Sequence, residues 1–133
     1  MSQNQYTIGS ISRDSGVHIE TIRYYERIGL IPRQPRSGAG RRLYGAADRQ
    51  RLVFIRRCRD LGFSLDDIRS LLELAGSGSR TCQEVKDMTE AHLKAVRERM
   101  ADLRRMESSL KALSRSCEGG GSPDCPILAR LFA

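Results

Sequence analysis

Apolar residues in this chain fall into several short helical blocks punctuated by glycine, and then into one long block. Tyr6-Thr7-Ile8 can form a short strand. Ser10 to Ser15 reads as a short helix closed by Gly16, which accepts the left-handed conformation. A second helix is predicted from about His18 to Ile28, with Ile19, Ile22 and Tyr25 inward at helical spacing, and Gly29 ends it. Two short helices around a tight glycine-containing turn form the helix-turn-helix pattern. Residues 31–45, IPRQPRSGAGRRLYG, break the helical rhythm with two prolines and three glycines and read as a β-ribbon with a basic tip, a wing.

The period then returns to helix. A third helix runs from about Ala47 to Leu61, with Leu52, Ile55 and either Cys58 or Arg59 inward. Ser64 and Asp67 give a capping-box-like start to a fourth, Leu65 to about Ala75, with Leu65, Ile68, Leu71 and Leu72 on its core face. GSGS at 76–79 is a flexible joint. From Thr81 one long helix runs to about Ser116. Its apolar seam includes Val85, Met88, Val96, Met100, Leu103, Met106, Leu110 and Leu113, interrupted by His92 and Arg99. The later steps of 3 and 4 residues are those of a coiled coil, and a seam with polar flanks needs a partner helix. A loop, SCEGGGSPDC, and a last short helix at Pro126–Phe132 follow; proline suits a first helical turn. The fold class is therefore mainly α. A winged helix-turn-helix domain (1–76) precedes a dimerisation helix (80–116) that forms an antiparallel coiled coil. A C-terminal metal-binding loop with a short helix (117–133) completes the chain.

Charge sharpens this picture. Residues 1–59 hold 12 Lys+Arg against 4 Asp+Glu, a net of +8, whereas residues 60–133 carry a net of −1. A compact basic half is the electrostatic footprint of nucleic-acid binding. His18, Thr21, Arg23, Tyr24 and Arg27 on the second helix, and Arg36, Arg41, Arg42 and Tyr44 on the wing, are the candidate DNA-binding residues. The amino-terminal part of the second helix would enter the major groove, and the wing arginines would meet phosphate or the minor groove. The absence of Trp argues against a base-stacking platform for single strands. Polar residues 1–15 and the lack of a long apolar run point to a cytoplasmic protein with no membrane partner.

In that compartment four cysteines indicate metal binding or redox sensing. Cys58 falls on an apolar helix and reads as core. Cys82 and Cys117 stand near opposite ends of the long helix, which at ~1.5 Å per residue separates them by roughly 50 Å. Antiparallel pairing with a second copy would bring Cys82 of one chain beside Cys117 of the other, and Cys125 can fold back across the glycine-rich loop to the same place. Ile127, Leu128, Leu131 and Phe132 could cap such a site. Thiolates select soft ions, namely Hg(II), Cd(II), Pb(II), Zn(II) and Cu(I), and three sulfurs fall one short of a closed zinc site. A metal-free alternative is a redox sensor in which Cys117 and Cys125 form a reversible disulfide. No nucleophile–base pair, phosphate-binding loop or paired-carboxylate pattern indicates an enzyme.

The run YTIGSISRDSGVHIETIRYYERIGLIP, the wing ending RRLYGAAD and the segment RDLGFSLDDIRSLLEL resemble the MerR family of winged-helix transcription regulators. TC at 81–82 and Cys117 with CPIL at 125–128 resemble its metal-sensing branch. The resemblance implies a homodimer bound to promoter DNA. It also implies that effector binding distorts that DNA so that RNA polymerase can start, with repression or poising in the absence of metal. A cysteine at position 82 resembles the divalent-ion sensors, those for mercury included, where copper sensors carry serine. The seven residues between Cys117 and Cys125 resemble the copper sensors' loop instead. The expected effector is a soft heavy-metal ion held by Cys82, Cys117 and Cys125, with Hg(II) ranked first, Cd(II), Pb(II) or Zn(II) second and Cu(I) third.

Overall fold

The computed structural model describes residues 5–34, 43–76, 82–121 and 123–133. The tip of the expected wing and all but the first residue of the expected GSGS joint lie outside the described residues. The chain divides into two compact units, residues 1–82 and 83–133. The first contains α1 (Ile8–Ser15), α2 (Ile19–Arg27), α3 (Ala46–Asp60) and α4 (Leu65–Gly76); α5 (Cys82–Arg115) and α6 (Pro126–Phe132) follow. The architecture is mainly helical, as the hydrophobic period predicts. Among the described residues the only β pairing is a single antiparallel bridge, Tyr6 to Tyr44. The strand expected at Tyr6-Thr7-Ile8 therefore shrinks to one residue. Thr7 has a stronger local preference: its hydroxyl accepts from the Ser10 amide, and Ser10 Oγ accepts from the Thr7 amide. This reciprocal cap starts α1 at Ile8, two residues earlier than the period alone predicts.

The core of the first unit is built from one face of each helix. Ile11, Ile22, Leu52, Ile55 and Ile68 are fully buried, with Tyr25, Leu30, Ile31, Cys58, Phe63 and Leu71 around them. Tyr25 and Cys58 thus occupy the inward positions expected of them. Leu65, Leu72 and Ile19 are only half-buried. Ser64 Oγ accepts from the Asp67 amide and opens α4.

Arginines close the helix ends. Arg56 donates to the Ser15 carbonyl at the end of α1 at 3.4 Å, and Arg69 of α4 donates to Ile28 O, just past α2, at 2.8 Å. Arg51 of α3 donates to Leu30 O at 3.1 Å, and Arg59 to Phe63 O at 2.8 Å. Carbonyls at a helix carboxy terminus lack an intrahelical donor and carry partial negative charge, so a guanidinium satisfies both needs.

Gly16 caps α1 in the left-handed conformation, with φ +77°, and a Cβ there would run into the Arg56 guanidinium. Replacing Gly16 with Ala should cost about 1–2 kcal/mol from the backbone alone. The same change at Gly76, which has open space around it, should be close to neutral. Urea unfolding of the two variants checks this, and equal stabilities would contradict it.

Candidate nucleic-acid interface and thiol site

α2 divides into two faces. Ile22, Tyr25 and Glu26 turn inward, while Arg23, Tyr24 and Arg27 stand exposed on the other side. His18 is the N-cap residue, and its side chain makes no capping hydrogen bond. It is exposed, and Thr21 is half-buried. The Arg27 guanidinium lies 5.7 Å from the centre of the Tyr24 ring, and Arg23 pairs with Glu20 at 3.2 Å. A pre-ordered pair of cationic and aromatic groups on an outward helix face suits a groove edge and its phosphates.

Arg36, Arg41 and Arg42 lie outside the described residues. Tyr44 does not take the role expected of it. It is 1 % exposed, and its phenol donates to Glu26 Oε1 at 2.9 Å. Its backbone also pairs both ways with Tyr6, at 2.7 and 2.8 Å. A side chain buried from water and bonded to a core carboxylate is not presented to DNA, so Tyr44 is corrected from a contact residue to a packing residue.

The sequence reading missed that carboxylate. Glu26 is 7 % exposed, and its second oxygen accepts from the Gln34 amide at 3.3 Å. A signal for it existed: Glu26 falls on the helical row of Ile19 and Ile22, the row that faces the core. Asp48 was missed as well. It accepts from the Gly45 amide at 2.8 Å and from Gln34 Nε2 at 3.2 Å.

The thiols have different surroundings. Cys58 is buried, and burial pushes its thiol up from the ordinary range, because a thiolate loses its water there. Cys82 is exposed at the start of α5, and Cys117 and Cys125 are half-buried. Gly119, at φ +89°, turns its amide back toward Cys117 Sγ, at 3.4 Å. Cys125 is the N-cap of α6 and Pro126 follows at its first position; the cysteine side chain makes no capping bond. Of the apolar residues expected to cap this region, Ile127 is half-buried, while Leu128, Leu131 and Phe132 are exposed. His92 is half-buried in α5, not beside the loop in sequence.

A helix-turn-helix unit with a basic outer face, followed by a long helix, defines a DNA-binding transcription regulator. The sequence matches the model for the MerR HTH family of regulatory proteins over residues 6–75 and the MerR DNA-binding model over residues 49–113. The chain belongs to the MerR family and is a regulator, not an enzyme. It is 43 % identical over 124 residues to the HTH-type transcriptional regulator HmrR of Sinorhizobium medicae (strain WSM419), covering 93 % of this chain and 84 % of that one. It is 42 % identical over 126 residues to the mercuric resistance operon regulatory protein of Shigella flexneri, covering 94 % and 86 %. The crystal structure of the transcription regulator PbrR691 from Ralstonia metallidurans CH34, in complex with lead(II), superposes with a TM-score of 0.82 at 40 % identity, covering 95 % of this chain and 98 % of that one. No helix among the described residues is long and apolar enough to cross a membrane.

Alkylation should separate the cysteines. With a maleimide or iodoacetamide at neutral pH, Cys82, Cys117 and Cys125 should label readily and Cys58 only slowly, because Cys58 is buried and that burial pushes its thiol up. Mass spectrometry of the labelled peptides reads this directly; fast labelling of Cys58 in the folded protein would contradict its burial.

Proposed function

We propose that this chain is a metal-responsive regulator that binds promoter DNA as a homodimer and senses a soft heavy-metal ion between its two copies. Cys82 of one copy, with Cys117 and Cys125 of the other, holds the ion. One observation carries the proposal. α5 runs for 34 residues with no buried residue, and it has a cysteine at its first position and another two residues past its end. Met100, Leu103, Met106 and Leu110 are 45–63 % exposed along it, and Leu93 adds a position to the expected seam. Covering the part of these side chains still exposed is favourable at roughly 25 cal/mol per Å² of apolar area, which favours a partner helix. An antiparallel partner sets the ends of the two helices side by side.

The donor set fits a soft ion. Among the described residues of one chain no three His, Cys, Asp or Glu side chains come together. Sulfur ligands favour soft ions, and three of them suit Hg(II) or Pb(II) better than a closed tetrahedral zinc site. The ligands bind as thiolates, so loading releases protons and affinity falls at low pH. A mercury-resistance regulator and a lead-bound regulator among the relatives support the choice of ion, and Hg(II) ranks first. Arg23, Tyr24 and Arg27 of α2, with His18 and Thr21 at its start and Arg36, Arg41 and Arg42 of the following basic segment, hold the promoter. Loading of the thiol site shifts the dimer between two arrangements, and the 76–79 joint passes the shift to the DNA-binding units. The DNA distorts and RNA polymerase starts.

A second reading uses Cu(I) and the two loop cysteines alone. It is favoured by their seven-residue separation and by the Gly119 amide directed at Cys117 Sγ. Metal-free oxidation of the same pair is the remaining alternative.

Anaerobic titration of the reduced protein with Hg(II), Cd(II), Pb(II), Zn(II) and Cu(I), followed by thiolate-to-metal charge-transfer absorption, tests these. Tight divalent binding that Cys82→Ser abolishes supports the shared three-thiol site. Tight binding of Cu(I) alone, unchanged by Cys82→Ser, establishes the second reading. Cys117→Ser should lose the metal response and keep basal promoter binding. Leu103→Asp with Leu110→Asp should shift sedimentation toward monomer and weaken divalent binding roughly 10-fold or more, because each site needs both chains. A metal-binding monomer would refute the shared site.

A further inference from the structure

Residues 1–59 contain four carboxylates among twelve arginines. Glu26 is buried and accepts from the Tyr44 hydroxyl, and Asp48 opens α3 by accepting from the Gly45 amide. Asp14 of α1 pairs with Arg49 of α3. The fourth, Glu20, is the one acid on the outward side of α2, and its side chain is 87 % exposed. It stands in the first turn of that helix. Steps of 3, 1 and 3 residues separate Glu20, Arg23, Tyr24 and Arg27, so the four form one row along α2. Charge is ordered along the row. The acid lies at the amino-terminal end, and the cations and the aromatic ring follow it.

We infer that Glu20 is a specificity-determining residue, whose carboxylate accepts a hydrogen bond from the exocyclic amino group of a cytosine in the major groove. An acid on a surface that meets DNA repels phosphate, and so weakens binding to every sequence alike. A base-specific contact turns that general cost into discrimination. The amino-terminal part of a recognition helix comes closest to the base edges, and Glu20 is placed there. A carboxylate only accepts hydrogen bonds. In the major groove cytosine presents its N4 amino donor alone. Adenine sets the N7 acceptor beside its amino group, and guanine and thymine present acceptors only. Cytosine is therefore the base that a carboxylate matches without repulsion. Arg23 offsets the charge of the acid. Its Nη1 donates to Glu20 Oε1 at 3.2 Å, and the guanidinium keeps further donors for a phosphate. An exposed pair of this kind adds little to stability, so its effect lies in orienting the carboxylate along the row. An acid in the first turn also steadies the helix dipole, and the experiment separates that effect from base reading.

The inference rests on the reading that the outward face of α2 meets promoter DNA, and the experiment distinguishes the two. The probe is a library of duplexes with a randomised central stretch, bound by the full chain and sequenced after selection. Wild type, Glu20→Ala and Glu20→Gln are compared, with Tm measured for each. Wild type should select a C·G pair at one position of each half-site, and replacing that pair should weaken binding roughly 10-fold. Glu20→Ala should lose the preference at that position alone, and should bind unselected duplexes several-fold more tightly once the repulsion is gone. Glu20→Gln, whose amide donates as well as accepts, should move the preference at that position toward adenine. An unchanged preference at every position in Glu20→Ala, with tighter binding throughout, would reduce Glu20 to a general charge and overturn the inference. An unchanged preference with only a lower Tm would reduce it to a helix-stabilising residue and overturn it equally. If wild type selects no motif, and Arg23→Ala and Arg27→Ala leave affinity as it was, the reading of α2 as the DNA face fails and takes the inference with it.

Discussion

A helix that leaves one face exposed has to be held entirely by its other face and its ends. In this chain the holding converges on the carboxy-terminal part of α2. Ile22 and Tyr25 are buried beneath it, and Leu30 and Ile31 seal the turn that follows. Arg69 reaches the Ile28 carbonyl from α4, and Arg51 reaches the Leu30 carbonyl from α3. Glu26 receives Tyr44 and Gln34 at the same end. Carbonyls that have no partner inside the helix, and a carboxylate that cannot be left dry and unbonded, make these interactions costly to break. The outer face, with Arg23, Tyr24 and Arg27, is left free of packing duty.

This arrangement changes the meaning of the basic half. All twelve of its cations are arginines, with no lysine among them. Arg51, Arg56 and Arg59 give donors to backbone carbonyls, and Arg49 meets the Asp14 carboxylate. A planar guanidinium with several fixed donors suits carbonyls at helix ends, which an ammonium on a flexible stem serves less well. Their charge still adds to the long-range field that attracts a polyanion. Their donor groups, however, are committed within the unit, so the surface that reads DNA is narrower than the net charge alone implies.

The second unit works by the opposite principle. α5 leaves its apolar row open to solvent, and α6 leaves Leu128, Leu131 and Phe132 open as well. The first unit completes its own core; none of the second unit's described residues is buried. The cysteines follow the same division. Cys58 is sequestered in the core of the first unit, and Cys82, Cys117 and Cys125 lie at or beyond the ends of α5.

Helical period, glycine stops and the charge split were enough to read from the sequence the succession of helices, the helix-turn-helix, the inward Tyr25 and Cys58, and the outward Arg23, Tyr24 and Arg27. These are local properties, set by spacing along one helix and by which residues can close it. Tyr44 shows where that reasoning stops. A tyrosine two residues after a pair of arginines looks like part of a basic tip, and only packing reveals that Tyr6 and Glu26 claim it. The roles of Glu26, Gln34 and Asp48 depend on hydrogen bonds across 8, 14 and 18 positions of chain, and those of Arg51, Arg56 and Arg69 on hydrogen bonds across 21 to 41. Spacing along a helix determines which way a side chain points. What it meets there is decided by elements distant in sequence, and so by the tertiary structure alone.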